Sequence, residues 1–298
     1  MISLRDLPPI VTYKELRSTF HSERKNNSWI KKTEHFLRRR DLLPLTLRSP
    51  RLPQLNLLVA ALWYHGALGL RDYQADGILF IKGRAREFLE ENISERLGIT
   101  FTHPSDPGNK SRLYFGEHGK AYARLIAAMD GSFYTSGNLE ERCLPNQTKR
   151  DQDFPTYLKF LRDNFNDLDQ EGKDIARTLI QGHIQMLLYT RFKKKKSKSH
   201  YGRIQLFEHE TSEKAKLEAT RILTLFEEGF PHLDVKETDL RITQSRIRQT
   251  YIPRISLRAE VFQNAATHYP GLFLPDQPAV LSKKLYQEQL SSLEKEVA

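Results

Sequence analysis

Two apolar stretches with the makings of close-packed helices recur 122 residues apart, at Leu58 and Ile180. The first reads Leu58-Val59-Ala60-Ala61-Leu62-Trp63-Tyr64-His65-Gly66, and the second reads Ile180-Gln181-Gly182-His183-Ile184-Gln185-Met186-Leu187-Leu188. Ala60, Ala61 and Gly182 carry little or no side chain, so a second backbone can approach either helix closely. After each stretch the pattern runs in the same order: hairpin, amphipathic helix, hairpin, helix. The offset between copies is about 127 at the middle helix and about 142 at the last strand, a drift that longer loops in the second copy explain. A repeated supersecondary order constrains a fold more than either stretch alone.

In the first copy, 55–130, a helix over 55–66 precedes a hairpin over 67–82. Asp76-Gly77 supplies a turn signal and Ile78-Leu79-Phe80-Ile81 a buried strand. The spacing of Phe88, Leu89, Ile93 and Leu97 predicts a helix over 84–97, closed by Gly98. A hairpin over 99–116, with a loop at Pro104-Ser105-Asp106-Pro107-Gly108-Asn109, leads to a helix over 119–129 that buries Tyr122, Leu125, Ile126 and Met129. In the second copy, 173–270, the helix at 173–188 precedes a hairpin over 189–208. Thr211 or Ser212 caps a helix over 212–228 with Leu217, Ile222, Leu225 and Phe226 inward. A hairpin over 233–257 and a helix from Arg258 to before Pro270 complete it. The fold class expected is α+β, two pseudo-symmetric αββαββα repeats.

The remaining chain reads as an N-terminal basic extension over 1–54, a connector over 131–172 and a C-terminal helical tail over 271–298. In the extension a short helix fits 12–20 and another fits 31–43, before Pro44, Pro50 and Pro53 punctuate a linker. The run Arg38-Arg39-Arg40 can grip phosphates, but its default reading is a solvated helix face. In the connector a helix fits 154–165, and Asn166-Asp167 looks like a cap for the helix that follows.

Composition narrows the function classes. The formal net charge of +10 favours a polyanionic partner, nucleic acid ahead of a membrane surface. With one cysteine, Cys143, no disulfide closes within the chain and no cysteine zinc site can be built, which suits an intracellular, reducing compartment. No run of 18 apolar residues predicts a membrane span. The N-terminus lacks an apolar leader, and Glu15, Glu23 and Glu34 are out of place in an organelle presequence. No G-x-x-x-x-G-K-[ST], H-E-x-x-H or G-x-S-x-G pattern is present.

The nine residues ending at Gly66 resemble the LAGLIDADG helix of homing endonucleases, keeping its first Leu, its small third residue and its final Gly. Gly182 matches the early Gly of a second copy, and Arg203-Ile204-Gln205-Leu206-Phe207 is similar to a strand in one branch of that family. The resemblance spans roughly 55–270. It implies that the two helices cross at a pseudo-twofold axis through Leu58, Ala60, Ala61, Gly66 and Gly182, and that the hairpins form a saddle-shaped antiparallel sheet that lies in a DNA groove. In that family an acid ending each helix binds the metal that activates water, because a hard cation wants carboxylate oxygens. Here those positions are His65 and Leu187, both expected to be non-catalytic. Displaced acids are Asp72, Asp76 and Asp130; the last lies in Met129-Asp130-Gly131-Ser132-Phe133, which resembles the motif ending but sits too close to both helices to allow a full repeat between.

The cations form the stronger signal. Arg191, Lys193, Lys194, Lys195, Lys196 and Lys198 place six charges in eight residues where a hairpin meets a phosphate backbone. Arg203 follows on the return strand. Arg241, Arg246, Arg248, Arg254 and Arg258 fall on the last hairpin, where Arg254, Ser256 and Arg258 share one strand face and Ile255 and Leu257 the other. Lys82, Arg84, Lys110 and Arg112 mark matching places in the first copy. The expected function is binding of DNA or structured RNA by a monomeric LAGLIDADG-derived protein that has lost metal-dependent cleavage. Since family members also act as maturases for group I introns, a splicing or ribonucleoprotein role extends it. The alternatives are an active DNA endonuclease using displaced carboxylates, and an interaction module with an incidental basic surface. No cofactor is expected, or Mg²⁺ if cleavage is retained.

Overall fold

A computed structural model describes residues 2–20, 27–70, 75–81, 83–102, 112–116, 118–129, 155–194, 200–245 and 247–273. The chain divides into two compact units, Met1–Met186 and Leu187–Ala298. Among the described residues no helix is long and apolar enough to cross a membrane.

The first unit opens with helices α1 (Tyr13–Ser18) and α2 (Asn27–Arg38). Thr12 accepts from the Glu15 amide while Glu15 reaches back to Thr12, a reciprocal cap that starts α1. This segment was expected as an extension, yet Leu4, Val11, Leu16, Leu37, Leu42, Leu43, Leu45 and Leu47 are all buried. Its leucines join the core of the first unit; backbone bonds between Val11 and Leu45 close the segment on itself, and those between Ile2 and Asp167 and between Asp169 and Ile2 tie its start to the connector. Helix α3 (Leu52–His65) follows, with Pro53 in its first turn, then strands β1 (Gly66–Leu70) and β2 (Ala75–Phe80).

Asp76-Gly77, expected as a turn, lies inside β2, opposite Gly69 and Leu68. The glycine serves packing: a Cβ on Gly77 would stand 2.5 Å from the Phe115 ring, so the ring lies over bare backbone. Helix α4 joins Gly83–Leu89, a wide turn at Glu90–Ser94 and Glu95–Leu97. Ala85, Leu89, Ile93 and Leu97 are buried four residues apart. On a regular helix that stripe drifts by about 40° per step, and the wide turn takes up part of the drift. Gly98 closes α4 at φ 66, as its position predicted. Strands β3 (Phe101–Thr102) and β4 (Arg112–Phe115) and helix α5 (Gly119–Met129) complete the copy; the four residues expected inward on α5 are all buried.

Helix α6 (Thr156–Asp163) leads to α7 (Gln170–Arg191). The cap of α7 is Asp169, whose Oδ1 accepts from the Gly172 amide at 2.7 Å, not Asn166-Asp167. In the second unit, strands β5 (Phe192–Lys194) and β6 (His200–Gln205) precede α8 (Ser212–Gly229), then β7 (Leu240–Gln244), β8 (Tyr251–Arg258) and α9 (Ala259–His268). Thr211 caps α8 by accepting from the Lys214 amide. Leu217, expected inward, is half exposed; it lies two residues from the buried stripe of Ala215, Ala219, Ile222 and Phe226, on the opposite side of the helix.

Each unit holds a four-stranded antiparallel sheet. The orders are β1-β2-β4-β3 and β5-β6-β8-β7, so both sheets join their hairpins through the return strands. The fold is α+β with the αββαββα order twice, as the sequence pattern predicted.

Candidate nucleic-acid interface

The seam between α3 and α7 is described within the first unit. Asn56 is buried on α3, donates Nδ2 to the Leu179 carbonyl at 2.8 Å and accepts from the Tyr157 hydroxyl at 2.6 Å. Two turns on, Tyr64 Oη meets His183 Nε2 at 2.8 Å. Asn56, Ala60 and Tyr64 recur every four residues and share a helix face, which places the small Ala60 between the two polar contacts. On α7, a Cβ at Gly182 would lie 3.1 Å from Asn56 Nδ2 and 3.3 Å from Leu57 Cδ2, so glycine permits the approach. Leu58, Ala60 and Ala61 are fully buried. Gly66, expected on this seam, is instead the C-cap of α3 and pairs with Leu79. Asn56, Tyr64 and His183 were not singled out from sequence; a polar side chain inside an apolar run is the signal that marks each. Burial drives the His183 imidazole down to about 3, so it is neutral.

The helix ends do not fit a hard cation. His65 ends α3, half-buried, and offers nitrogen; Leu187 is fully buried hydrocarbon and offers no donor. Asp76 lies in β2, whereas Asp72 and Asp130 fall outside the described residues. Among the described residues no three His, Cys, Asp or Glu side chains gather as a metal site.

The arginine-bearing sheet lies in the second unit. Strand β8 alternates: Tyr251, Pro253, Ile255 and Leu257 face one way, and Ile252, Arg254, Ser256 and Arg258 the other. The register carries this across the sheet. Ile204 and Leu240 stand opposite Ile255, and Phe192 opposite Ile204, which makes one face apolar. Helices α8 and α9 pack on β8. On the other face Lys193 stands opposite Arg203, which stands opposite Ser256. Gln205 stands opposite Arg254, which stands opposite Arg241. The next position pairs Thr243 with Ile252.

Two like-charged pairs, Lys193/Arg203 and Arg241/Arg254, therefore oppose each other directly across strands. Opposed like charges destabilise a sheet, and no carboxylate among the described residues relieves them. None of the four strands contains Asp or Glu, and among the described residues none of these four cations has a carboxylate within ion-pair distance. Burial, then the charge of Arg203, holds the Arg254 guanidinium below its usual value. Its Nη1 donates to Thr243 Oγ1 at 3.3 Å. Beside this face, the Arg191 guanidinium stacks 4.1 Å from the Phe207 ring centroid.

The remaining predicted cations separate. Arg258 is engaged, with Nε 3.1 Å from Asp239 Oδ1 and Nη2 3.5 Å from Asp234 Oδ2. It ties the end of β8 to the turn that starts β7. Arg248 lies 3.4 Å from Glu208 at the β7–β8 tip, where Glu208 also accepts from Thr250. The side chains of Lys194, Arg84 and Arg112 and the whole of Lys82, Lys110, Lys195, Lys196, Lys198 and Arg246 lie outside the described residues. Gln205 and Thr243 join the cationic face without having been picked from sequence; their alternation with Ile204 and Ile242 is the signal.

Comparison of the sequence with protein-family models gave no match, and comparison with curated proteins gave none. Among solved structures, the chain is similar to the crystal structure of the N-terminal LAGLIDADG domain of DUF199/WhiA, at 9% identity and a TM-score of 0.36, over 81% of this chain and 92% of that one.

Proposed function

We propose that this protein binds nucleic acid, duplex DNA or structured RNA, through the cationic face of the β5–β8 sheet, as a LAGLIDADG-type protein without metal-dependent cleavage. The observation that carries this reading is the two opposed like-charged pairs on a face whose strands contain no acid. A sheet selected for stability alone would place a carboxylate opposite each cation; a polyanion supplies that countercharge on binding. Strands at the usual spacing of about 4.8 Å set the cations in a two-dimensional array. Such an array matches the repeated charges of a phosphate backbone better than it matches one small anion.

Loss of cleavage is supported by Leu187 and His65 at the positions where the resemblance places acids. A splicing or ribonucleoprotein role, as in intron maturases, is the cellular use that needs binding and no cutting. The test is fluorescence anisotropy of a labelled duplex titrated at several salt concentrations, beside incubation of supercoiled plasmid with Mg²⁺. The expected result is a log–log salt slope of about −3 to −4 for four phosphate contacts on DNA, with the plasmid left intact. A slope near zero overturns the binding reading, and site-specific nicking overturns the loss of cleavage.

A further inference from the structure

A second cluster of cations lies within the first unit, away from any strand. Arg39 and Arg40 follow α2, Arg51 is the N-cap of α3, and Glu95 and Gly98 belong to the end of α4; together they line a cleft of about 440 Å³. Arg40 is fixed in place. Its guanidinium lies 3.9 Å from the Phe36 ring centroid, and a Cβ on Gly98 would stand 3.1 Å from its Nη2. Tyr122 lies in the field of both Arg40 and Arg51: burial pushes its phenol up to about 12, and the two cations act against that rise.

The cleft is rich in uncompensated charge. Among the described residues none of the three arginines lies within ion-pair distance of a carboxylate, Glu95 included. A structural role accounts for one of them. Arg40 sits where α4 ends, and a cation there offsets the partial negative charge of the last carbonyls. That role needs neither Arg39 nor Arg51, which come from separate segments and converge on the same space. Guanidinium forks match phosphate oxygens in pairs. The volume lies within the range of pockets that hold whole small molecules, more than a single phosphate fills.

We propose that this cleft is a phosphate site that takes an anion of two or more linked phosphates, held by Arg39, Arg40 and Arg51. Free polyphosphates, nucleoside polyphosphates and a nucleic-acid backbone share that chemistry. The site stands apart from the reading of the β5–β8 sheet, and its test separates the two. The full chain is titrated calorimetrically with sodium tripolyphosphate at low salt, as wild type, as Arg39→Gln/Arg51→Gln and as Arg203→Gln/Arg241→Gln. Arg51 caps α3 through its backbone carbonyl, which accepts from the Leu55 amide at 3.0 Å, so glutamine keeps that bond. The cleft variant is expected to bind tripolyphosphate at least about tenfold more weakly, while the sheet variant binds within about twofold of wild type.

Wild type that binds no tripolyphosphate overturns the proposal. So does a cleft variant that binds like wild type, or equal losses in both variants. If the cleft variant melts below wild type, Arg39→Lys/Arg51→Lys restores charge and is expected to recover part of the affinity; no recovery counts against the site. A duplex titration on the cleft variant then assigns the source. Weakened duplex binding means the phosphates belong to nucleic acid, and unchanged duplex binding means a free polyphosphate.

Discussion

Replacing Arg203 and Arg241 by glutamine removes one cation from each opposed pair and leaves Lys193 and Arg254. This one change is expected to move binding and stability in opposite directions. Each phosphate contact on duplex DNA contributes about 0.9 to the slope of log K against log salt. Four contacts make wild-type affinity fall about 150-fold between 50 and 200 mM salt, and two make it fall about 12-fold. The stability change has the other sign. Each directly opposed pair in a sheet is worth roughly 0.2–1 kcal/mol. Arg241 is exposed and Arg203 only half-buried, so solvent screening trims the gain to about half a kcal/mol in total. Anisotropy at five salt concentrations gives the slope, and urea unfolding without nucleic acid gives the stability. A slope unchanged from wild type refutes the phosphate contacts. A clear loss of stability refutes the claim that these cations are carried at a structural cost.

Three further outcomes follow from the packing. The neutral His183 has a folded value of about 3 against an ordinary value near 6.5, so the unfolded chain takes up a proton first as pH falls; stability is full above about pH 6.5 and is expected to drop by about 2 kcal/mol between pH 7.5 and 5, a loss that urea unfolding of His183→Gln lacks. In Gly202→Ala the new Cβ meets the Phe192 ring, itself edged by Phe262 and Phe273, so chemical unfolding shows a cost of about 1–3 kcal/mol; a neutral result means the ring can move. Asn56→Ala strips the Tyr157 hydroxyl and the Leu179 carbonyl of a buried partner and costs about 2–3 kcal/mol by the same measurement.

Local chemistry made much of this fold legible. The α5 helix spans the residues that its spacing gave, Gly98 adopts the left-handed conformation that ends α4, and Thr211 makes the capping bond expected of it. What escaped depended on neighbours distant in sequence. Asp76-Gly77 reads as a turn until Phe115, from another strand, is seen to need the space above Gly77. Arg258 carries the same alternation as Arg254, and only Asp234 and Asp239 separate their roles. Arg38-Arg39-Arg40 reads as a solvated run, and two of the three turn out to share a cleft with Arg51. Leu217 was misplaced for a simpler reason: Ala215 and Ala219 set the buried stripe, and alanines are weak markers in a hydrophobic pattern.

The cationic sheet turns its fully buried aliphatic side chains to one side. Positions 193, 203, 205, 241, 243 and 254 lie on the opposite side from Ile204, Leu240, Ile255 and Leu257. Lys193, Arg241 and Thr243 are exposed and Arg203, Gln205 and Arg254 half-buried; exposed substitutions usually change stability by less than about 0.5 kcal/mol. On the proposed reading, the three exposed positions can be rewritten one at a time while the architecture beneath them stays fixed, so a changed preference for nucleic acid would come without a change of fold.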